Sequence, residues 1–122
     1  MPPGSAVPSG YAENGDNEGG NYFRHYTDAQ KLQGIKEDGS IWMSRGDHLE
    51  HGPGVYFTTQ LDTAASVRVT GSNGSAWVDV WVPKDVQWSS GWHNWGDGQY
   101  TYTYGNFPTH YFDTYHPTRY SQ

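Results

Sequence analysis

At 122 residues, with a formal charge of −6 and no basic run, the chain makes a single domain poorly suited to broad electrostatic binding of nucleic acid. The absence of cysteine excludes disulfides, cysteine-zinc sites and thiol catalysis, and no segment approaches the roughly 18 apolar residues of a membrane span or forms the apolar core of a signal peptide. Only 34% of the residues are hydrophobic, but six Trp and ten Tyr shift burial onto aromatic rings with polar edges, a composition that favours sheet.

Residues 1–20 are rich in Gly, Pro, Ser, Asn and acids and are read as a flexible lead or linker, which leaves 21–122 as the folded domain. Tyr22, Phe23, His25 and Tyr26 form a β-prone run. Thr27, with Gln30 three residues on, fits a capping box and predicts a helix start at Thr27. Ala29, Leu32 and Ile35 fall on one face of that helix, Lys31, Lys36, Glu37 and Asp38 are left for water, and Gly39 is placed to stop it. Gly34 within it costs about 1 kcal/mol relative to Ala and suggests a close packing approach.

Ile41, Trp42 and Met43 predict a second short strand, 44–53 a polar loop, and 55–58 another strand. Asp62 is placed to cap a short helix within 61–69, and Asn73-Gly74 marks a turn. The run 76–82 is the clearest strand: Val78, Val80 and Val82 share one face, while Trp77, Asp79 and Trp81 share the other, where Asp79 reads as facing solvent. Pro83 ends it. The Gly96-Asp97-Gly98 turn leads into an alternating run from Gln99 whose Tyr100, Tyr102 and Tyr104 would line one face, and His110, Tyr111 and Phe112 suggest a last strand. The predicted class is α+β, β-rich, with one or two short helices. His48-Leu49-Glu50-His51 has neither spacing of the zinc-protease motifs, and His93 and His116 stand alone, so no metal site is predicted.

Two separated polar-aromatic motifs, His25-Tyr26-Thr27 and Gly54-Val55-Tyr56-Phe57, flank the first helix. Together with Leu32-Gln33-Gly34-Ile35 and Gly39 between them, and with the longer run from His51 to Phe57, they resemble the diphtheria-toxin-like ADP-ribosyltransferases, most closely the HYD-signature class of polymorphic-toxin domains. The likeness is good over 23–67 and elsewhere rests on element order. It implies a small ADP-ribosyltransferase-like split β-sheet and NAD as co-substrate, held without a Rossmann glycine loop; no G-x-G-x-x-G occurs here.

On that resemblance His25 would bond a ribose hydroxyl of NAD, the Tyr26 backbone would hold the nicotinamide carboxamide, Thr27 would brace His25 or a ribose, and Tyr56, followed by Phe57, would stack on the nicotinamide. Stacking asks for the ring of Tyr56 and not its hydroxyl. A late-strand Glu, Asp or Gln would grip the 2′-hydroxyl; element order puts Gln99 there, with Asp97 two residues earlier sharing the role or serving only the turn, and Asp79 and Asp113 as further candidates. A second stacking aromatic is expected near Val67, where none stands; Trp42, Trp92 and Trp95 are the substitutes. The implied activity is transfer of ADP-ribose to an unidentified acceptor, with protein favoured over nucleic acid. NAD glycohydrolysis and an inactive NAD- or ADP-ribose-binding module are the alternatives. The same resemblance implies a cognate immunity protein, no membrane partner, and either delivery into a target-cell cytosol or cytoplasmic residence for a free-standing form.

Overall fold

The computed structural model describes residues 19–45, 49–59, 76–87, 91–96, 98–109 and 116–122. They form a β-rich α+β domain of eight strands and two helices: β1 Gly20–Thr27, α1 Ala29–Asp38, β2 Ser40–Ile41, β3 Val55–Thr58, β4 Ala76–Pro83, the single helical turn α2 Lys84–Gln87, β5 Trp92–Gly96, β6 Gln99–Tyr102, β7 Phe107–Pro108 and β8 Arg119–Tyr120. Six strands make one antiparallel sheet in the order β5-β6-β3-β1-β4-β8, and β2 pairs with β7 in a second, two-stranded one. No helix among the described residues is long and apolar enough to cross a membrane.

The main ladder joins β1 to β4 through eight register pairs, from Gly20↔Pro83 to Thr27↔Ala76. Gly20 therefore belongs to the sheet and not to the lead. A Cβ there would stand 2.6 Å from the Val82 carbonyl, so only glycine fits. Alternation along both strands sends Phe23, Val78, Val80 and Val82 to one face, where they pack with Val55 and Phe57 of β3, Leu32 and Ile35 of α1, Ile41 of β2, Trp92 of β5 and Phe107 of β7. The aromatic rings meet edge-on, with Phe23 5.0 Å from Trp92 and 4.8 Å from Tyr100, so much of the core attraction runs through ring edges.

Helix α1 begins one residue later than the capping box predicts. Asp28 is the N-cap and accepts from the Lys31 amide at 2.8 Å, while Thr27 stays in the ladder opposite Ala76. Gly39 closes the helix at φ 72°, its amide on the Ile35 carbonyl, as expected. Gly34 has nothing within 4 Å of a notional Cβ, so no close approach explains it. The strand expected at 41–43 shortens to Ser40–Ile41, with Trp42 exposed. Gly96 and Gly98 both have positive φ in the turn joining β5 to β6, and Tyr104, beyond the end of β6, is exposed while Tyr100 and Tyr102 pack on the core. The helix expected within 61–69, the turn at 73–74 and the strand at 110–112 lie outside the described residues.

The second face of β1 and β4 corrects the reading of Asp79, which is not solvent-facing but fully buried. Arg24, its register partner, donates to both carboxylate oxygens, Nε to Oδ1 at 2.7 Å and Nη2 to Oδ2 at 3.0 Å, and Arg119 of β8 adds Nη2 to Oδ2 at 2.9 Å. The two guanidiniums also lie over rings, Arg24 3.8 Å from Trp77 and Arg119 3.7 Å from Tyr22. Beside them Trp81 stacks on His116 at 3.6 Å. Both oxygens of Asp79 are thus committed to holding the sheet together.

Asp79→Asn should expose this dependence, because it leaves two closely packed guanidiniums without their counter-charge. A loss of about 3–5 kcal/mol is expected. Urea unfolding measures it, and a change below about 0.5 kcal/mol, the range of ordinary surface substitutions, would show that the triad does not hold β1, β4 and β8 together.

Candidate functional site

The β1 strand is zipped to β4 along its whole length but, among the described residues, shares a single register pair, Arg24↔Thr58, with β3 on its other edge. Next to that pair the His25 imidazole crosses to β3, with Nδ1 2.8 Å from the Tyr56 carbonyl oxygen. A carbonyl only accepts, so Nδ1 carries the proton and Nε2 of the neutral ring keeps its lone pair. Burial lowers the pKa of His25, the Tyr56 carbonyl works in the opposite direction, and the charge of Lys31 lowers it further. The net effect favours a neutral imidazole presenting an acceptor.

Tyr56 is buried, and its hydroxyl is engaged in both directions: it donates to the Gly52 carbonyl at 2.7 Å and accepts from the His51 amide at 2.9 Å. The left-handed Gly52, at φ 79°, and the bridge between Ser44 and Gly54 shape this short loop around the hydroxyl. His51 is thereby held beside Tyr56, with ring centroids 6.4 Å apart and planes 18° from parallel, and it lies flat on Trp95 at 4.0 Å and 5°. Trp95 in turn donates from Nε1 to the Thr101 hydroxyl at 2.9 Å, and Thr101 faces Tyr56 across the β3/β6 ladder.

Gln99 opens β6 opposite Thr58. Its Oε1 lies 3.1 Å from His51 Nε2 and its Nε2 donates to Glu50 Oε2 at 3.4 Å. The carboxylate orients the amide, because the flipped group would set a carbonyl against Glu50. His51 then donates from Nε2, the opposite tautomer to that of His25.

The first-motif His25, second-motif Tyr56 and third-position Gln99 therefore stand on β1, β3 and β6, which are adjacent in the sheet. Tyr56 and Gln99 project to the same face; His25 projects to the other and reaches Tyr56 through its main chain. Thr27 shares the face of His25 at the end of β1. Tyr26 turns its phenol toward Arg24, with Nη1 3.4 Å from the hydroxyl. Phe57 is fully buried and meets the site only by its edge, 6.0 Å from His25. Asp97, Asp113, Val67 and His48 lie outside the described residues. Of the three tryptophans considered for stacking, Trp92 is in the core and Trp42 is exposed beyond β2, whereas Trp95 is in the cluster. Among the described residues no group of three or more His, Cys, Asp or Glu could hold a metal.

Glu50 and His51 had no role from sequence beyond a failed metal spacing and the start of the second motif. Their only local signal is the Gly52-Pro53-Gly54 turn, which folds the preceding residues back over Tyr56. No family model matches the chain, and neither do any curated protein or solved structure.

The phenolic hydroxyl has more to do than the stacking argument allots it. Tyr56→Phe removes the partner of the His51 amide and the Gly52 carbonyl, so a stability loss of about 1–2 kcal/mol is expected, with faster hydrogen exchange at the His51 amide. Unchanged exchange there would mean that the loop is held by something else.

For His25, the folded pKa lies below the unfolded value of about 6.5. The unfolded chain therefore binds the proton more readily, and the stabilising contribution is complete above about pH 6.5 and lost as pH falls toward the folded pKa. Wild-type stability should fall more steeply over that acidic window than the stability of His25→Gln. Parallel pH curves for the two proteins would contradict the assignment.

Proposed function

We propose that this chain is an NAD-dependent ADP-ribosyltransferase with an ADP-ribosyltransferase-like split sheet, which cleaves the bond between nicotinamide and ribose and passes ADP-ribose to an acceptor. One observation carries the reading: residues widely separated in sequence, His25, Tyr56 and Gln99, lie on three adjacent strands, with the His25 imidazole bonded to the Tyr56 main chain.

In this reading the neutral His25 accepts a ribose hydroxyl through Nε2, and its fixed Nδ1–H tautomer keeps that lone pair available without further cost. Tyr56 and its neighbours His51 and Trp95 supply the flat aromatic surface that a nicotinamide ring needs. Gln99, by the resemblance, would grip the ribose 2′-hydroxyl. The acceptor is best sought among proteins, since the acidic chain has no basic tract to hold a nucleic acid. A delivered toxin domain acting in a target cytosol, countered by an immunity protein, fits this activity.

The neutral Gln99 favours, as a second reading, a module that binds NAD or ADP-ribose without turnover. Incubation with NAD alone and then with lysate and labelled NAD separates the outcomes. Released nicotinamide with a labelled macromolecule is expected, label-free release would indicate a glycohydrolase, and neither would indicate the binding module. His25→Ala should lower nicotinamide release about a hundredfold while the protein still unfolds cooperatively. Wild-type turnover in that variant would place the pocket elsewhere.

A further inference from the structure

Cleavage of the nicotinamide-ribose bond develops positive charge on the sugar, and an anion is the natural complement to it. None of His25, Tyr56 and Gln99 supplies one: the imidazole is neutral, Gln99 is an amide, and the buried Asp79 spends both oxygens on Arg24 and Arg119. The described contacts of Gln99 nevertheless include one carboxylate, Glu50, reached at 3.4 Å from the amide nitrogen and 3.8 Å from His51 Nε2. The Glu50 side chain is 70% exposed, and its Oε1 has no partner among the described residues.

We propose that Glu50, delivered by the loop ahead of β3, is the catalytic carboxylate of this site, and that Gln99 is the positioning residue that holds it. The proposal rests on the NAD-cleaving reading above. The bond from C1′ to the nicotinamide nitrogen breaks heterolytically, its electron pair cancelling the charge on that nitrogen, and Glu50 faces the cation left on C1′ and O4′. An acceptor nucleophile or water then supplies the pair for the new bond to C1′ and gives its proton to the Glu50 carboxylate, which passes it to solvent. A bound dinucleotide covers the exposed side chain, and loss of the intervening water strengthens the attraction as the charge develops.

Nicotinamide release by the full chain tests this. Glu50→Gln should lower kcat about a hundredfold with KM changed less than about threefold, the pattern of a contact made in the transition state. Glu37→Gln, an exposed residue on α1 remote from the cluster, should turn over as wild type. Gln99→Glu alone would set two carboxylates side by side, so the informative variant is the exchange Glu50→Gln with Gln99→Glu, which should recover at least about tenfold of the lost kcat. A wild-type chain that leaves NAD intact overturns the parent reading and this proposal with it. Active wild type with a Glu50→Gln variant of near wild-type kcat overturns the proposal alone, as does an effect confined to KM or an exchange variant no better than Glu50→Gln.

Discussion

The ladder between β1 and β4 is the constraint on which the rest of the molecule depends. It aligns eight residues of each strand and, through Arg24 and Asp79, places an ion pair at one of its own register positions, locked from the far side by Arg119. Buried charges are costly unless fully paired, so this register is specified far more tightly than alternating hydrophobicity alone would specify it. A slip by one residue would separate Arg24 from Asp79 and send Phe23 out of the core. With one edge of β1 fixed in this way, its other edge meets β3 at Arg24↔Thr58 among the described residues, and His25 beside that pair bonds the Tyr56 carbonyl.

The two histidines, His25 on one face of the sheet and His51 in the cluster on the other, show how partner chemistry sets the tautomer of identical side chains. His25 gives its Nδ1 proton to a carbonyl and keeps an acceptor, whereas His51 gives its Nε2 proton to the Gln99 oxygen. The first ring presents an acceptor, and the second donates to an amide whose orientation is set by the Glu50 carboxylate. The ion triad lies on the face of the sheet opposite the hydrophobic core; two guanidiniums share one carboxylate, and each also lies over a ring.

Much of this order was legible in the residues. The motif strands, the helix between them and its left-handed stop at Gly39 all follow from short-range rules that act within a few residues. The errors arise where two local readings were equally good or where the partner was distant. Thr27 and Asp28 are adjacent and both are good N-caps; the tie was broken by Ala76, which holds Thr27 in the ladder. The alternation of β4 separates its two faces, yet nothing in its own sequence says that the second face is covered by Tyr22, Arg119 and His116. Glu50 and His51 were invisible for the same reason, since their partner Gln99 lies nearly half the chain away.

The aromatic surface around Tyr56 suits recognition better than cleavage. The nicotinamide ring is cationic before its bond to ribose breaks and neutral afterwards, so an electron-rich face that attracts it holds the ground state more strongly than the product. In the proposed NAD-cleaving reading, stacking on Tyr56, His51 or Trp95 would therefore bind and orient NAD but would not by itself lower the barrier. What lowers it must interact more strongly as charge moves from the ring nitrogen to the sugar, and a carboxylate on the ribose side does so because the cation moves toward it. In the same proposed reading the loop closed by the Tyr56 hydroxyl would join these separate tasks: the bonds to His51 and Gly52 that hold the Tyr56 ring also hold the residues that follow Glu50, so the orientation of the leaving group and the position of the anion would be set by one piece of backbone.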